Sequence, residues 1–238
     1  MQRHWERSRG SLGNQKVSEL RLGAFGGTFD PIHNGHIQVA REVARRFWLD
    51  RVLMIPAATP PHKNVRSIAD AHHRHAMTVL ATVDEPTLFV STTELEAPER
   101  PYTFETIERL RNLYGEGTEL FFVMGADSFR EIDTWREPVK VLESANWVVV
   151  TRPGHEIATT HLPEHLRSRI IDLRGGCERP IEHTAASGEL FFTYLLDCVS
   201  EDISSTRIRQ MVFGRQDISS LVPQLVAGYV EKYELYRR

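Results

Sequence analysis

The stretch Gly26-Gly27-Thr28-Phe29-Asp30-Pro31-Ile32-His33-Asn34-Gly35-His36 constrains this chain more than any other. An apolar run, Leu22 to Phe25, leads into it, and an amphipathic one, Ile37 to Leu49, follows. That order predicts strand, glycine turn, helix, which brings main-chain N–H groups and the positive end of a helix onto one anion. Two adjacent glycines let the chain pass close to that anion with no side chain in the way. Asn34 is the expected N-cap, which puts Gly35 and His36 in the first helical turn. His33 and His36 are three apart and can face the same anion, each donating a ring N–H. A tight turn with two structural histidines is the plainer alternative, but the full eleven-residue run after a strand favours phosphate chemistry on a nucleotide. Two other phosphate-binding loops are excluded. There is no Gly-x-x-x-x-Gly-Lys-Ser/Thr, and the glycines lack the Gly-x-Gly-x-x-Gly spacing of a dinucleotide turn.

Apolar segments rich in Val, Ile and Phe alternate with helical patterns, as in a parallel sheet with crossover helices. Strands are expected at Leu22–Phe25, Val52–Ile55, Leu88–Ser91, Leu120–Met124, Trp147–Thr151 and Leu190–Leu195. Helices are expected over residues 35–48, 70–83, 104–114, 127–132, 137–143, 205–213 and 222–233, with Gly214 just past the end of the sixth. The fold class is therefore α/β: one Rossmann-like, doubly wound domain over 21–238, with a mainly parallel sheet and C-terminal helices. Such sheets bind ligands at the carboxyl ends of their strands. That edge would collect His33 and His36 after the first strand, Pro60 to Lys63 after the second and Asp127 after the fourth. Residues 153–188, with Gly175-Gly176, show little periodicity.

At 238 residues and a net charge of −3, the chain is sized for one such domain and lacks the basic surplus of a nucleic-acid binder. Any anion site must be locally basic. Cys177 and Cys198 have no metal or redox spacing, so a reducing cytoplasm is the expected compartment. No apolar run approaches the roughly 20 residues that span a bilayer. Residues 1–20 are polar, with Arg3, Arg7, Arg9 and Lys16 but no apolar stretch of a signal, and read as a disordered extension.

The glycine run with His33-x-Gly35-His36 resembles the nucleotidyltransferase superfamily that carries the (T/H)xGH signature. Four further segments match, in the same order, the nicotinate mononucleotide adenylyltransferases. In Pro60-Pro61-His62-Lys63 the prolines stiffen an extended loop and Lys63 would project its charge toward phosphate oxygens; alone, it would read as a solvated surface loop. Arg100-Pro101-Tyr102-Thr103-Phe104-Glu105-Thr106 opens a helix, with Thr103 as N-cap and Thr106 where a capping box would have Glu. The resemblance brings the nicotinate end to Tyr102 and Thr103, where helix N–H groups suit a carboxylate. Gly125-Ala126-Asp127-Ser128 and Trp135-Arg136 come next. A carboxylate past a strand end can bind ribose hydroxyls, and an indole can stack on a pyridinium ring for ~1–2 kcal/mol when desolvated. The resemblance assigns these roles to Asp127 and Trp135, whose alternative is a half-buried core tryptophan. Last, Ile203-Ser204-Ser205-Thr206-Arg207-Ile208-Arg209 matches the ISxTxIR signature of an ATP phosphate clamp. Ser204 is a ready N-cap, and Arg209 reaches the same phosphate with a planar fork. Arg207 has no assigned role. His72-His73-Arg74-His75 reads as a polar helix entry rather than a metal site, and Glu94, Glu96 and Glu99 as a solvated loop.

The resemblance implies transfer of AMP from ATP to the 5′-phosphate of nicotinate mononucleotide, giving deamido-NAD and pyrophosphate in NAD biosynthesis. Attack would be direct and in line, with no covalent enzyme intermediate. The catalytic set is His33, His36, Lys63 and Arg209. ATP would meet Gly26, Gly27, Thr28, Phe29, His33, Gly35, His36, Gly125, Asp127, Ser204, Ser205, Thr206 and Arg209. The mononucleotide would meet Thr28, Lys63, Tyr102, Thr103, Asp127 and Trp135. Mg²⁺ would accompany ATP, held by its phosphates rather than by a protein metal site. The expected partners are these two nucleotides, not nucleic acid or membrane, and a homo-oligomer is left open. Alternative acceptors are nicotinamide mononucleotide, phosphopantetheine or another phosphate. A nucleotide sensor without catalysis is a rival of another class, opposed by the intact histidines. A nicotinamide-dependent oxidoreductase fails on the missing glycine pattern.

Overall fold

The alternating apolar segments form the strands of one parallel sheet. The computed structural model describes residues 20–59, 68–97, 101–151, 157–175, 191–197 and 203–237. Its strands are β1 (Arg21–Gly27), β2 (Arg51–Pro56), β3 (Leu88–Val90), β4 (Glu119–Gly125), β5 (Asn146–Thr151), β6 (Ile170–Asp172) and β7 (Thr193–Asp197). They lie in the order β3-β2-β1-β4-β5-β7-β6, and every neighbouring pair is parallel. The helices are α1 (Asn34–Arg46), α2 (Ala71–Thr82), α3 (Thr103–Tyr114), α4 (Ala126–Arg130), α5 (Pro138–Leu142), α6 (Glu164–Arg167), α7 (Ser205–Phe213) and α8 (Gln224–Lys232). Residues 1–19, Pro60 to Lys63, Cys177 and Cys198 lie outside the described residues.

Both faces of the sheet are covered, so the central strands are apolar on both sides. Phe25, Met54, Val123 and Val148 pack with buried residues of α1, α2, α7 and α8. Ala24, Leu53, Phe122 and Val149 pack on the other face with residues of α3, α4 and α5 and with Leu166 of α6. Trp147 is buried there, and its indole N–H donates to the Val141 carbonyl at 3.2 Å.

Sequence and structure differ at the less regular places. Neither β6 nor α6 was expected. β6 is a three-residue edge strand with two exposed positions, too short for an alternation to register, and α6 is a single turn. The last strand begins at Thr193 rather than Leu190. The helix expected over 127–132 is α4 followed by a separate 3₁₀ turn, Ile132–Thr134. Gly214 caps α7 with φ −78°, donating its N–H to Gln210 O at 2.9 Å; the left-handed residue after the helix is Arg215, at φ 55°.

The topology reverses direction between β1 and β4. The chain leaves β1 toward α1 on one face and leaves β4 toward α4 on the other. The crevice between them at the carboxyl edge is where open parallel sheets bind ligands.

Candidate active site

The loop after β1 is shaped first by its own packing. Phe29 is buried and takes a left-handed φ of 48°, uncommon for a bulky side chain. Its ring folds back over Gly27, where an added Cβ would sit 2.7 Å from a ring carbon. Gly27 is thus required by Phe29, independently of any anion. At Gly125, by contrast, a Cβ would meet open space, so no packing demand explains that glycine.

The N-cap of α1 is His33, not Asn34. The His33 N–H donates to Nδ1 of His36 at 3.2 Å, so the side chain three residues on closes the helix start. This moves the helix entry one residue earlier than a capping asparagine would. The two imidazoles stack at 3.7 Å, and Phe29 meets His36 edge-on at 5.1 Å. A ring whose Nδ1 accepts carries its neutral-form proton on Nε2. His36 is half-buried and His33 nearly fully so. Gly35 lies against the His33 ring, 3.2 Å from its would-be Cβ.

The segment expected to form the second phosphate element docks on this loop. Ser204 caps α7, accepting the Arg207 N–H at 3.2 Å as expected. Ser205 Oγ donates to the Pro31 carbonyl at 3.0 Å. Arg209 Nη1 donates to the Asp30 carbonyl at 2.8 Å and lies 3.4 Å from Oδ2 of Asp30, while Nη2 donates to Thr206 Oγ1 at 3.3 Å. Thus Gly26, Gly27, Thr28, Phe29, His33, Gly35 and His36 share one neighbourhood with Ser204, Ser205, Thr206 and Arg209. Phe29 can meet a nucleotide only through its backbone, since its ring is in the core.

A buried polar network lies under the loop, and sequence reasoning missed it. Asp30 has no exposed surface. Its Oδ1 accepts the Tyr236 hydroxyl at 2.7 Å and the Ala69 N–H at 3.0 Å. Arg74, expected in a polar helix entry, is 1% exposed. It donates to three carbonyls: Thr28 at 2.8 Å, Ala69 at 3.0 Å and Ala58 at 3.1 Å. Desolvation by burial pushes its pKa down, and the nearby Asp30 carboxylate pushes it back up. A signal was present: Arg74 shares the i, i+3, i+4, i+7 stripe of α2 with buried Met77, Thr78 and Ala81. A charge on an apolar stripe marks a buried hub.

The segments expected to meet the mononucleotide are more open. Tyr102, not Thr103, is the N-cap of α3, and its N–H donates to Oε2 of Glu105 at 2.8 Å. The capping box exists after all, one residue earlier. Thr103 is the first helical residue, and the Thr106 hydroxyl donates to Glu94 Oε1 at 3.2 Å, so Glu94 is tied to α3 rather than loose in solvent. Tyr102 remains 45% exposed, with the Arg136 guanidinium over its ring at 4.7 Å. Trp135 directly precedes that arginine and is partly buried against the second core face. Asp127 stands in the first turn of α4, its side chain 95% exposed and 3.4 Å from Arg130. Among the described residues, no group of three His, Cys, Asp or Glu could hold a metal ion.

Comparison with known proteins bears on this arrangement. Residues 24–211 match the family model described as cytidylyltransferase-like. A Thermoanaerobacter protein named "Probable nicotinate-nucleotide adenylyltransferase" is 41% identical over 220 residues, covering 92% of this chain and 96% of its own. The chain belongs to the nicotinate-nucleotide adenylyltransferase family. A family member from Citrifermentans bemidjiense, under the same name, is 40% identical over 217 residues, 91% of this chain and 98% of its own. In fold, the chain is similar to the Plasmodium falciparum nicotinic acid mononucleotide adenylyltransferase solved with NaAD. The TM-score is 0.67 at 19% identity, covering 92% of this chain and 98% of that one. The doubly wound architecture expected from the alternation of elements is therefore the family's own.

Proposed function

We propose that this chain transfers AMP from ATP to the 5′-phosphate of nicotinate mononucleotide, giving deamido-NAD and pyrophosphate in NAD biosynthesis. The observation that carries this is the docking of α7 on the histidine loop, through Ser205 to Pro31 and Arg209 to Asp30. It puts two helix N-termini, an imidazole pair and a guanidinium around one point at the carboxyl end of β1. Such a cluster suits an anion with more than one phosphate. Family membership supports the same reaction.

A phosphate oxygen of the mononucleotide attacks the α-phosphorus of ATP in line. The new P–O bond forms as the bond to the bridging oxygen breaks, and its electron pair leaves on pyrophosphate. The attacking phosphate is ionised at neutral pH and needs no general base, so the work is positioning and charge stabilisation. His36 donates through Nε2–H and Arg209 through its guanidinium, while α1 and α7 add the positive ends of their helix dipoles. Lys63, outside the described residues, is proposed to join them. Asp127 takes ribose hydroxyls, Trp135 stacks on the pyridine ring, and the start of α3 at Tyr102 and Thr103 receives its carboxylate.

Mg²⁺ has no protein cage among the described residues. Asp30, the carboxylate at the loop, is buried: its Oδ1 accepts from Tyr236 and Ala69, and its Oδ2 faces Arg209 at 3.4 Å. The metal is thus proposed to arrive on the ATP phosphates, and the residues above act without it as an intermediary. Among the described residues, no helix is long and apolar enough to cross a membrane, and the cytoplasm is the proposed compartment.

The test is pyrophosphate release from ATP and Mg²⁺, with nicotinate and nicotinamide mononucleotides compared side by side. The acid should be strongly preferred. Preference for the amide would move the acceptor, and no release with either would sink adenylyl transfer to pyridine nucleotides.

A further inference from the structure

We propose that Tyr236 and Asp30 are positioning residues for adenylyl transfer: through the Asp30 carboxylate, the C-terminal tyrosine holds the Arg209 guanidinium against the loop that carries His33 and His36. This role rests on the reaction proposed above and adds to it a segment that contains no nucleotide-binding motif.

The Tyr236 hydroxyl donates to Oδ1 of Asp30 at 2.7 Å, across 206 positions of sequence. The second donor to Oδ1 is the Ala69 N–H at 3.0 Å. Together they set the plane of a carboxylate that has no access to water. Its other oxygen, buried and accepting no hydrogen bond, faces Arg209 as an ion pair, 3.4 Å from Nη1, the same nitrogen that donates to the Asp30 carbonyl. Arg209 thus meets Asp30 through both main chain and side chain. Its remaining edge faces the N-terminal turn of α7 through Thr206. A guanidinium held this way enters the reaction with little orientational freedom left to lose.

The tail is built to make this contact. Glu234 and Tyr236 both take left-handed φ values, 50° and 64°, within three residues. Neither is a glycine, and such backbone persists where the surroundings dictate it. Between them Leu235 packs on the core and donates its N–H to Val230 O at 3.1 Å. The chain turns back on itself and delivers the phenol to Asp30. Burial, reinforced by the Asp30 charge, drives the Tyr236 pKa far up, so the hydroxyl keeps its proton and stays a donor.

Tyr236→Phe keeps the ring and removes only the donor. We expect the KM for ATP to rise roughly tenfold, the order of one hydrogen bond to a charged group, with KM for the mononucleotide unchanged; the melting temperature should fall as well, because a buried carboxylate loses a donor. The effect should vanish in an Arg209→Ala background, because the two changes break one chain of contacts. Additive losses in that double variant would overturn the inference. So would an unchanged KM for ATP, or a fall in melting temperature with both KM values unmoved. Calorimetric binding of a non-hydrolysable ATP analogue separates this from the reaction itself. Weakened analogue binding by Tyr236→Phe upholds the positioning role even if the wild-type chain releases no pyrophosphate with either mononucleotide.

Discussion

The two halves of the site are held by different physics. At the phosphate end, Asp30 and Arg74 are buried and bonded to several segments at once, and His33 and His36 are stacked and capped. At the proposed ring end, Tyr102 is about half exposed and Asp127 almost wholly so, and Arg136 over the Tyr102 ring ties α3 to the Trp135 turn. The contrast fits the roles proposed for the two ends. Stabilising charge in a transition state demands donors fixed in advance, because reorganising them during the reaction costs rate. A flat ring can be gripped by stacking, which tolerates small displacements.

If the phosphate end is rigid because it is buried, its supports should matter to the whole fold. Arg74→Ala should show the largest effect, a loss of about 3–5 kcal/mol in urea unfolding, as when a buried charge partner is deleted. A loss no larger than that of an exposed arginine would mean the three carbonyls find other donors, and the contrast between the ends would fall. His36→Ala should next cut kcat by ~10²–10³, the cost of one preorganised donor, with circular dichroism unchanged. An unaltered kcat would remove the imidazole pair from the mechanism. Trp135→Ala should be mildest, raising the mononucleotide KM by about tenfold for ~1–2 kcal/mol of lost stacking, while the KM for ATP stays put. Equal rises in both would show that the ends are not separable.

Much of this arrangement was legible in residues close together in the chain. The glycine-histidine run and the 203–209 segment each carry a turn, a cap and a helix start within eleven residues or fewer. Local hydrogen bonding dictates such motifs. Even there, the caps of α1 and α3 came one residue early, because His36 and Glu105 reach back to the N–H groups of His33 and Tyr102. Side-chain reach decided what cap preference alone did not.

By itself, the sequence determined the alternation of strands and helices, the parallel sheet, and the identity of the groups that could face phosphate. Those follow from periodicities of a few residues and from the chemistry of single side chains. Only the tertiary structure decided that α7 docks on the histidine loop, that Arg74 is a buried hub, and that Tyr236 closes on Asp30. The contacts of Arg74 with Thr28, Ser205 with Pro31 and Tyr236 with Asp30 join positions 46, 174 and 206 residues apart. They exist because a buried carboxylate and a buried guanidinium must each find partners wherever the packing of the sheet faces brings them.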